Sequence, residues 1–295
     1  MQRTVPAKPA RQPAERLKPV IDPAGWTKDE ILSSTDWIHV LGDREIADLD
    51  RAVADIETRQ IPLAEVRRED FDLPVLGPAL EGMREEILNG RGFVLIRGVP
   101  VHRYTRLQNA IAFWGIGKHM GEPVSQNAKG HLLGHVKDLG GDPAENPHDR
   151  GYHTAKMLPF HVDGTTDIVG LMCLQPAKSG GQSALASSVT IHNEMLKRAP
   201  ELVNALSEPV YRDRRGEIPE GGQPYYPLPV FTYFAGYLTT NWQGGNILSA
   251  RRFAELPPWS PELTAAVNMF DELAHELCFT MEFQQGDIQF LHNHV

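Results

Sequence analysis

Apolar residues recur at helical spacing in several segments of the chain. Ile46, Leu49, Val53 and Ile56 lie three or four positions apart and follow Asp43, which we assign as the N-cap of a first long helix. Four further helices are predicted. One ends at Asn89-Gly90, one begins near Thr105, and one follows Ser188. The last begins at Ser260-Pro261, where proline suits the first helical position.

From about residue 120 the pattern changes to short apolar runs separated by glycine and proline. The runs that we predict as strands are GHLLGHVKD, DIVGLMCL, GGQSALASS, PVFTYF, GYLTTNW, CFTMEF and DIQFLHNHV, after an earlier strand in GFVLIRGVP. Many short strands of this kind are typical of a sandwich or barrel. The order predicts an α+β or mainly β protein in which helices precede a β-rich region.

Composition and charge narrow the classes of function. The chain has 295 residues and a formal net charge of −9, so it lacks the basic surface that attracts nucleic acids or anionic membranes. Its longest apolar stretch, Ile168 to Leu174, is far shorter than the roughly 18–20 residues that span a bilayer. We therefore expect neither a nucleic-acid nor a membrane partner, whereas a homo-oligomer is compatible with the sequence.

The ends and the cysteines give expectations about organisation and location. Residues 1–20 are basic and rich in proline and have no apolar signal core, so we expect a disordered or loosely docked tail. Residues 21–295 are expected to form a single domain. Cys173 and Cys278 lie in apolar, strand-like contexts, which favours two buried thiols in a reducing cytoplasm over a disulfide.

The candidate chemistry centres on the segment LPFHVDGTTD. His161 and Asp163 are two positions apart, so on an extended segment both side chains point to one face. An imidazole and a carboxylate on one face are two of the three ligands of a 2-His-1-carboxylate iron site. With 12 histidines and 17 aspartates among 295 residues, chance alone gives about 0.7 pairs in which an aspartate follows a histidine by two positions. The alternative is a surface histidine beside an aspartate that forms the turn before Gly164.

The segments around this pair carry a resemblance to a known family. His161-Val-Asp163 is followed by a Ser179-Gly180-Gly181 turn, by Ser183 and by an amphipathic helix. These pieces, with GRGFVLIRGVP, GKHMGEPV and the late GDIQF, resemble the TauD/TfdA family, the taurine-dioxygenase-like branch of Fe(II)/2-oxoglutarate-dependent oxygenases. The resemblance covers about residues 85 to 295. It implies a double-stranded β-helix, or jelly-roll, core with flanking helices.

The same resemblance implies an activity and its cofactors. Fe(II) would be held by His161 and Asp163, and the Ser183 hydroxyl would contact the co-substrate 2-oxoglutarate. The implied reaction couples oxidative decarboxylation of 2-oxoglutarate by O2 to hydroxylation or oxidative cleavage of a small, anionic molecule. No catalytic residue beyond the metal ligands is expected.

The C-terminal segment sets the expected position of the third ligand. In the family a second histidine follows the glycine of a Gly-Asp turn by about a dozen residues, and here that turn is Gly286-Asp287. This register places the histidine beyond Val295, so we expect the C-terminal part of the domain to be missing from the sequence. Asn293 then matches an asparagine of the family pattern, and His292 takes the place of an Asp or Asn.

Two alternatives stay open from the sequence. His292 and His294 share one face of a predicted strand, so a cupin-like protein could bind metal through them together with His161 and Asp163. The chain could instead be a catalytically inactive jelly-roll relative.

The substrate contacts are the part of the site that the sequence defines least. Ser125, Gln126 and Asn127 lie on a predicted loop at the rim of the pocket, with simple turn formation as the alternative. The segment YRDRRGE is basic and could attract an anionic substrate, although a run of charges is more often a solvated surface. His131 and His135 fall within a strand pattern and are expected to be sheet residues.

Overall fold

Helices and short strands alternate in the structure, a computed structural model that describes residues 10–126, 130–140 and 151–295. Its α-helices are α1 (Lys28–Leu32), α2 (Asp43–Arg59), α3 (Gly77–Asn89), α4 (Arg106–Met120), α5 (Ser188–Arg198), α6 (Pro200–Leu206), α7 (Gly244–Ser249) and α8 (Pro261–Leu277). Its strands are β1 (Ile38–Val40), β2 (Phe93–Arg97), β3 (Ile168–Met172), β4 (Ser183–Leu185), β5 (Val210–Asp213), β6 (Tyr225–Leu228), β7 (Phe231–Phe234), β8 (Tyr237–Thr240), β9 (Phe279–Met281) and β10 (Ile288–His292).

Most of the predicted helix ends are observed. Thr105 caps α4 and Ser260 caps α8, each by accepting a hydrogen bond from a backbone N–H of the first turn. The predicted cap of α2 is wrong by one position, because Gly42 precedes the helix and Asp43 is its first residue. The Gly42 N–H donates to Glu45 Oε2 at 2.9 Å, so a side chain from the first turn satisfies this end of the helix.

The strand predictions fail at two places. The segment GHLLGHVKD is irregular where it is described, and His131 and His135 are exposed rather than sheet residues. In the opposite direction, β5 and β6 were not predicted, and β5 contains the first part of YRDRRGE. The charged run suggested a solvated surface, but Arg212 within it is fully buried. Its guanidinium donates to the Val210 and Asn241 carbonyls at 3.0 and 2.6 Å.

The largest sheet has four strands in the order β1-β2-β10-β3. β10 lies at its interior and pairs antiparallel with both β2 and β3, and its Gln289 is opposite Leu95 on one side and Leu171 on the other. Gly286 lies two residues before this strand at φ +87°, where a Cβ atom would collide with the Val99 carbonyl. The predicted Gly-Asp turn is therefore a tight backbone contact that only glycine fits.

The two faces of β10 meet different surroundings. Ile288 and Phe290 pack into the core formed with α2, α3 and α4. On the other side of the sheet, Phe93 of β2 packs with Trp26 and Phe279 at ring-centroid distances of 5.5 and 5.4 Å. Because side chains alternate along a strand, Gln289 and Asn293 are directed away from the helical core. Smaller two-stranded sheets, β4-β9, β5-β6 and β7-β8, complete the strand set of the described residues.

The second half of the predicted tail is docked through specific contacts. The Ala14 N–H donates to the Gly236 carbonyl at 2.8 Å, and the Arg11 guanidinium lies 4.9 Å from the centre of the Tyr237 ring. Arg11 also pairs with Asp22 at 2.5 Å. Residues 1–9, the first half of that tail, lie outside the described residues.

Neither cysteine forms a disulfide. Cys173 is buried as expected, whereas Cys278 is half-buried at the end of α8, where its thiol lies 3.4 Å from the His275 carbonyl oxygen. Within the described ranges, every helix is too short or too polar to cross a membrane.

Candidate functional site

His161 and Asp163 lie together on an extended loop beside α7. His161 forms an isolated antiparallel bridge with Gln243, and the Val162 N–H donates to the Trp242 carbonyl at 2.6 Å. The two side chains point to the same side, with 3.9 Å between His161 Nε2 and Asp163 Oδ1. They are 45% and 56% exposed, so solvent and small solutes reach both. The same-face arrangement predicted from their spacing is therefore present in the structure.

The tautomer of His161 suits a metal ligand. Its Nδ1 lies 2.8 Å from the Pro159 carbonyl, to which it donates, so Nε2 keeps a lone pair on the side of Asp163. Protein ligands bind divalent metals at about 2.0–2.2 Å, so one ion can reach two atoms that are up to about 4.2 Å apart. The observed separation satisfies this limit. A backbone carbonyl behind the imidazole is the usual support of a ligating histidine.

Asn293 fixes the backbone of the loop that carries the two ligands. Its Oδ1 accepts from the Asp163 N–H at 3.0 Å, and its Nδ2 donates to the Asp163 and Thr166 carbonyls at 2.5 and 2.7 Å. Its own N–H donates to the Asp167 carbonyl at 2.8 Å, and the residue is only 7% exposed. One buried amide therefore holds both ends of the turn that follows Asp163. The sequence matched Asn293 to a family position but gave no role for it.

His292 and His294 do not join the candidate ligands. Their ring centres lie 6.1 Å apart, and His294 Nδ1 is 3.3 Å from the Thr240 carbonyl oxygen. Burial, and then the neighbouring His294, lower the pKa of His292. No group of three or more His, Cys, Asp or Glu side chains is arranged for metal binding in the part of the chain that the structure describes. The alternative of a metal site built from these histidines with His161 and Asp163 is therefore not favoured.

Ser183 forms a hydrogen bond that the sequence did not reveal. It lies on β4, and its hydroxyl donates to Gln289 Oε1 of β10 at 2.8 Å, which joins the small β4-β9 sheet to the main sheet. Gln289 is 1% exposed, and its Nε2 is buried without a hydrogen-bond partner. An unpaired buried amide nitrogen is costly, so an acceptor at this position would stabilise the protein. The sequence signal that could have indicated this contact is the single glutamine inside an otherwise largely apolar strand.

The predicted substrate loop is not joined to the ligand pair by the described contacts. Ser125 and Gln126 are exposed, and the Gln126 N–H donates to the His131 carbonyl at 2.7 Å, as in a turn. The Gln126 side chain donates to the Val124 carbonyl at 3.0 Å. Asn127 lies outside the described residues. Turn formation, the alternative considered for this segment, accounts for the described contacts of Gln126.

A polar strip borders the ligand loop on its other side. Gln243 Nε2 donates to the Val162 carbonyl at 3.2 Å, and Gln243 Oε1 accepts from the Tyr226 hydroxyl at 3.1 Å. The Arg214 guanidinium lies over the Tyr226 ring, 4.6 Å from its centre. Arg214 of the basic segment YRDRRGE is therefore linked to the candidate metal loop through Tyr226 and Gln243, a placement that sequence spacing could not show.

Comparison with known proteins gives a family match over most of the chain. The family model described as Taurine catabolism dioxygenase TauD, TfdA family matches residues 57–295. FR-33289 synthase from Streptomyces rubellomurinus is 30% identical over 281 residues, which span 94% of this chain and 82% of the relative. Taurine hydroxylase-like protein SAT17 from Stachybotrys chartarum is 31% identical, over 92% of this chain and 72% of the relative.

Solved structures share the fold at low sequence identity. Asparagine oxygenase in complex with Fe(II), 2S,3S-3-hydroxyasparagine and succinate matches with a TM-score of 0.65 at 16% identity, over 88% of this chain and 86% of that chain. The non-heme iron oxygenase OrfP in complex with Fe and alpha-ketoglutaric acid matches with a TM-score of 0.59 at 16% identity, over 88% and 86% of the two chains. At this identity the likeness establishes a common fold.

Proposed function

The chain belongs to the Taurine catabolism dioxygenase TauD, TfdA family, and we propose that it acts as an Fe(II)- and 2-oxoglutarate-dependent dioxygenase that hydroxylates or oxidatively cleaves a small anionic molecule. The observation that carries the proposal is the His161–Asp163 pair, held on one face by Asn293 inside the matched region. The fold shared with non-heme iron oxygenases supports a jelly-roll core formed by residues 21–295 as one domain. The free thiols of Cys173 and Cys278 support a cytoplasmic location.

His161 and Asp163 are proposed as two of the three protein ligands of Fe(II). Their donor set, a neutral imidazole and a carboxylate, is the set that this metal takes in 2-His-1-carboxylate sites. The third ligand stays a prediction: the family register counted from Gly286 implies a histidine about a dozen residues after that glycine. Iron with 2-oxoglutarate and O2 supplies the oxidation of an unactivated C–H bond.

The residues of the chain position, rather than perform, this oxidation. The Pro159 carbonyl holds the proton on His161 Nδ1 and keeps Nε2 unprotonated for the metal. Asn293 fixes the carboxylate-bearing loop through three backbone groups. Ser183, oriented by Gln289, is proposed to hold a carboxylate of 2-oxoglutarate, and the unpaired Gln289 Nε2 can donate to the same ligand.

Conversion of 2-oxoglutarate to succinate tests the proposal most directly. The protein is incubated with Fe(II), ascorbate and 2-oxoglutarate, with and without candidate small anions, and succinate is quantified by mass spectrometry. We expect iron-dependent succinate formation that Asp163→Ala abolishes, whereas Asp271→Ala, an exposed carboxylate on α8, leaves it unchanged. The absence of succinate, with and without every candidate anion, would replace this proposal with the inactive jelly-roll alternative.

A further inference from the structure

Arg214 and Arg215 lie at the turn that follows β5, close to the candidate metal loop. β5 ends at Asp213, and Arg215 has φ +47°, a left-handed conformation that turns the chain sharply. Neither residue has a role in the proposed ligand set or in the 2-oxoglutarate contacts. Both residues are half-buried.

Arg214 is directed toward the ligand loop by an aromatic side chain. Its guanidinium stacks on Tyr226, 4.6 Å from the ring centre, and such stacking fixes the plane of the group. The Tyr226 hydroxyl donates to Gln243, which in turn donates to the Val162 carbonyl between the two candidate ligands. Arg214 is therefore two side chains away from the metal loop.

Arg215 reaches the same strip by a different route. Its Nη2 donates to the Gly245 carbonyl at 3.0 Å, and Gly245 is two residues beyond Gln243. Arg215 thus contacts the segment that follows Gln243 directly, and Arg214 reaches Gln243 through Tyr226. The two neighbouring positive charges lie in a chain whose formal net charge is −9.

These two guanidinium groups have no carboxylate partner among the described residues. The adjacent Asp213 accepts from the Ser249 hydroxyl and from Arg252, with its Oδ2 lying 2.9 Å from Arg252 Nε. Of Arg215, only the backbone N–H contacts Asp213. The Nε atoms of Arg214 and Arg215 are both buried without a hydrogen-bond partner. Two guanidinium groups that have no carboxylate partner among the described residues, each with an unsatisfied Nε donor, suit the binding of an oxyanion.

We propose that Arg214 and Arg215 bind a phosphoryl oxyanion, a phosphate or phosphonate group, on the substrate. Two guanidinium charges favour a dianion over the single charge of a carboxylate, and their fork geometry suits tetrahedral oxygens. An anion held there leaves the rest of a small molecule to extend across Gln243 toward His161 and Asp163. The inference deepens the proposed function and rests on it, because it names the substrate class of the same site.

Anion binding without metal tests the inference separately from the oxygenase reaction. Isothermal titration calorimetry with inorganic phosphate and with methylphosphonate is performed on the metal-free protein and on the Arg214→Gln, Arg215→Gln double variant. We expect binding to the protein to weaken roughly ten- to hundredfold in the double variant, because each charge-assisted hydrogen bond is lost. Acetate is expected to bind more weakly than either phosphorus oxyanion.

The matched control is Arg251→Gln. Arg251 is exposed, and its guanidinium also stacks on an aromatic ring, 5.0 Å from the centre of Trp259, so the same change is made in a similar contact elsewhere. This variant should keep the phosphate affinity of the unchanged protein. The Arg214→Lys, Arg215→Lys variant retains both charges and should keep more affinity than the glutamine variant, provided that circular dichroism shows that both are folded.

Three outcomes would overturn the inference: no phosphate or methylphosphonate binding to the unchanged protein, equal binding by the double glutamine variant, or an equal loss in Arg251→Gln. Its failure is distinguishable from failure of the proposed function. Succinate formation from 2-oxoglutarate without substrate is read in the same variants, and its survival after loss of phosphate binding would uphold both. Succinate formation by the unchanged protein, without any phosphate or methylphosphonate binding by that same protein, would overturn this inference alone.

Discussion

The strand β10 and the loop of residues 159–166 contribute to one candidate site but differ sharply in burial. Gln289 and Asn293, on β10 and just after it, are 1% and 7% exposed, whereas His161 and Asp163 on the loop are about half-exposed. The buried segment carries no proposed metal ligand, and the exposed loop carries two. The exposed ligand loop is therefore positioned from behind by the buried Asn293 amide, which directly follows a strand packed into the core.

This division predicts that a change at the buried turn before β10 lowers the stability of the whole domain, whereas a change on the loop affects metal binding. The Gly-Asp turn that starts β10 is the most sensitive place. Asp287 is fully buried and accepts two hydrogen bonds from Arg97, at 3.0 and 2.8 Å, and one from the Gln284 N–H. The pairing also raises the pKa of Arg97.

The largest expected effect is therefore on stability. Asp287→Ala should lower the free energy of unfolding by about 3 kcal/mol, since it leaves Arg97 and a buried N–H without their partner. Urea denaturation followed by circular dichroism measures the change. Arg59→Ala, which breaks surface pairs with Asp55 and Asp70, is the control and should have a much smaller effect. Equal effects of the two changes would show that the turn does not anchor β10.

The second effect separates positioning from stability at Asn293. Asn293→Leu removes the three hydrogen bonds that hold the Asp163 backbone and the following turn, and should weaken Mn(II) binding roughly 10- to 100-fold. Mn(II) titration followed by electron paramagnetic resonance measures it. Asn268→Leu, an exposed position on α8, should leave the affinity unchanged. Unchanged affinity in Asn293→Leu would remove the proposed link between the strand and the loop.

A third, smaller effect is expected at Gln289. Gln289→Leu should weaken 2-oxoglutarate binding by roughly two- to tenfold, as expected for one or two lost hydrogen bonds. The free energy of unfolding should fall little, because the substitution also removes a buried amide nitrogen that has no partner. Calorimetric titration of 2-oxoglutarate with Mn(II) present measures the affinity, with the exposed Gln285→Leu as control. A large loss of stability with unchanged affinity would assign Gln289 a purely structural role.

The smallest effect concerns pH and lies away from the ligand loop. His192 is fully buried and bonded to the Tyr233 hydroxyl at 2.7 Å, and burial lowers its pKa below the ordinary 6.5. Its contribution to stability is therefore present above about pH 6.5 and is lost as pH falls toward the folded-state pKa, because the unfolded chain binds the proton more readily. Denaturation at about pH 7.5 and pH 5.5 should show a smaller pH dependence in His192→Gln. The same pH dependence in both proteins would contradict this assignment.

The contrast between strand and loop also explains what the sequence could predict. His161 and Asp163 were found because a two-residue spacing on extended backbone is a local property, as were the caps Thr105 and Ser260. The roles of Asn293 and Gln289 could not be predicted, because each depends on a partner more than 100 positions away. The strand β5 was missed because burial of Arg212 among carbonyl groups overrides the polarity of its sequence.

The His292–His294 alternative shows that spacing alone can also suggest a metal-binding pair that the contacts do not favour. Their two-residue separation resembles a chelating pair as closely as that of His161 and Asp163. What separates the pairs is the supporting contact: a carbonyl behind His161 leaves Nε2 available beside a carboxylate, whereas His294 packs against Thr240 and His292. Such contacts arise from strand register, and the sequence does not determine them locally.

The most direct test of the central claim, that His161 and Asp163 hold the metal and the nearby histidine pair does not, is Mn(II) affinity in two variants. Electron paramagnetic resonance titration compares Asp163→Ala with the His292→Asn, His294→Asn double variant. We predict that Asp163→Ala abolishes specific Mn(II) binding and that the double histidine variant retains the Mn(II) affinity of the unchanged protein. Retained binding in Asp163→Ala, with loss in the double histidine variant, would contradict it.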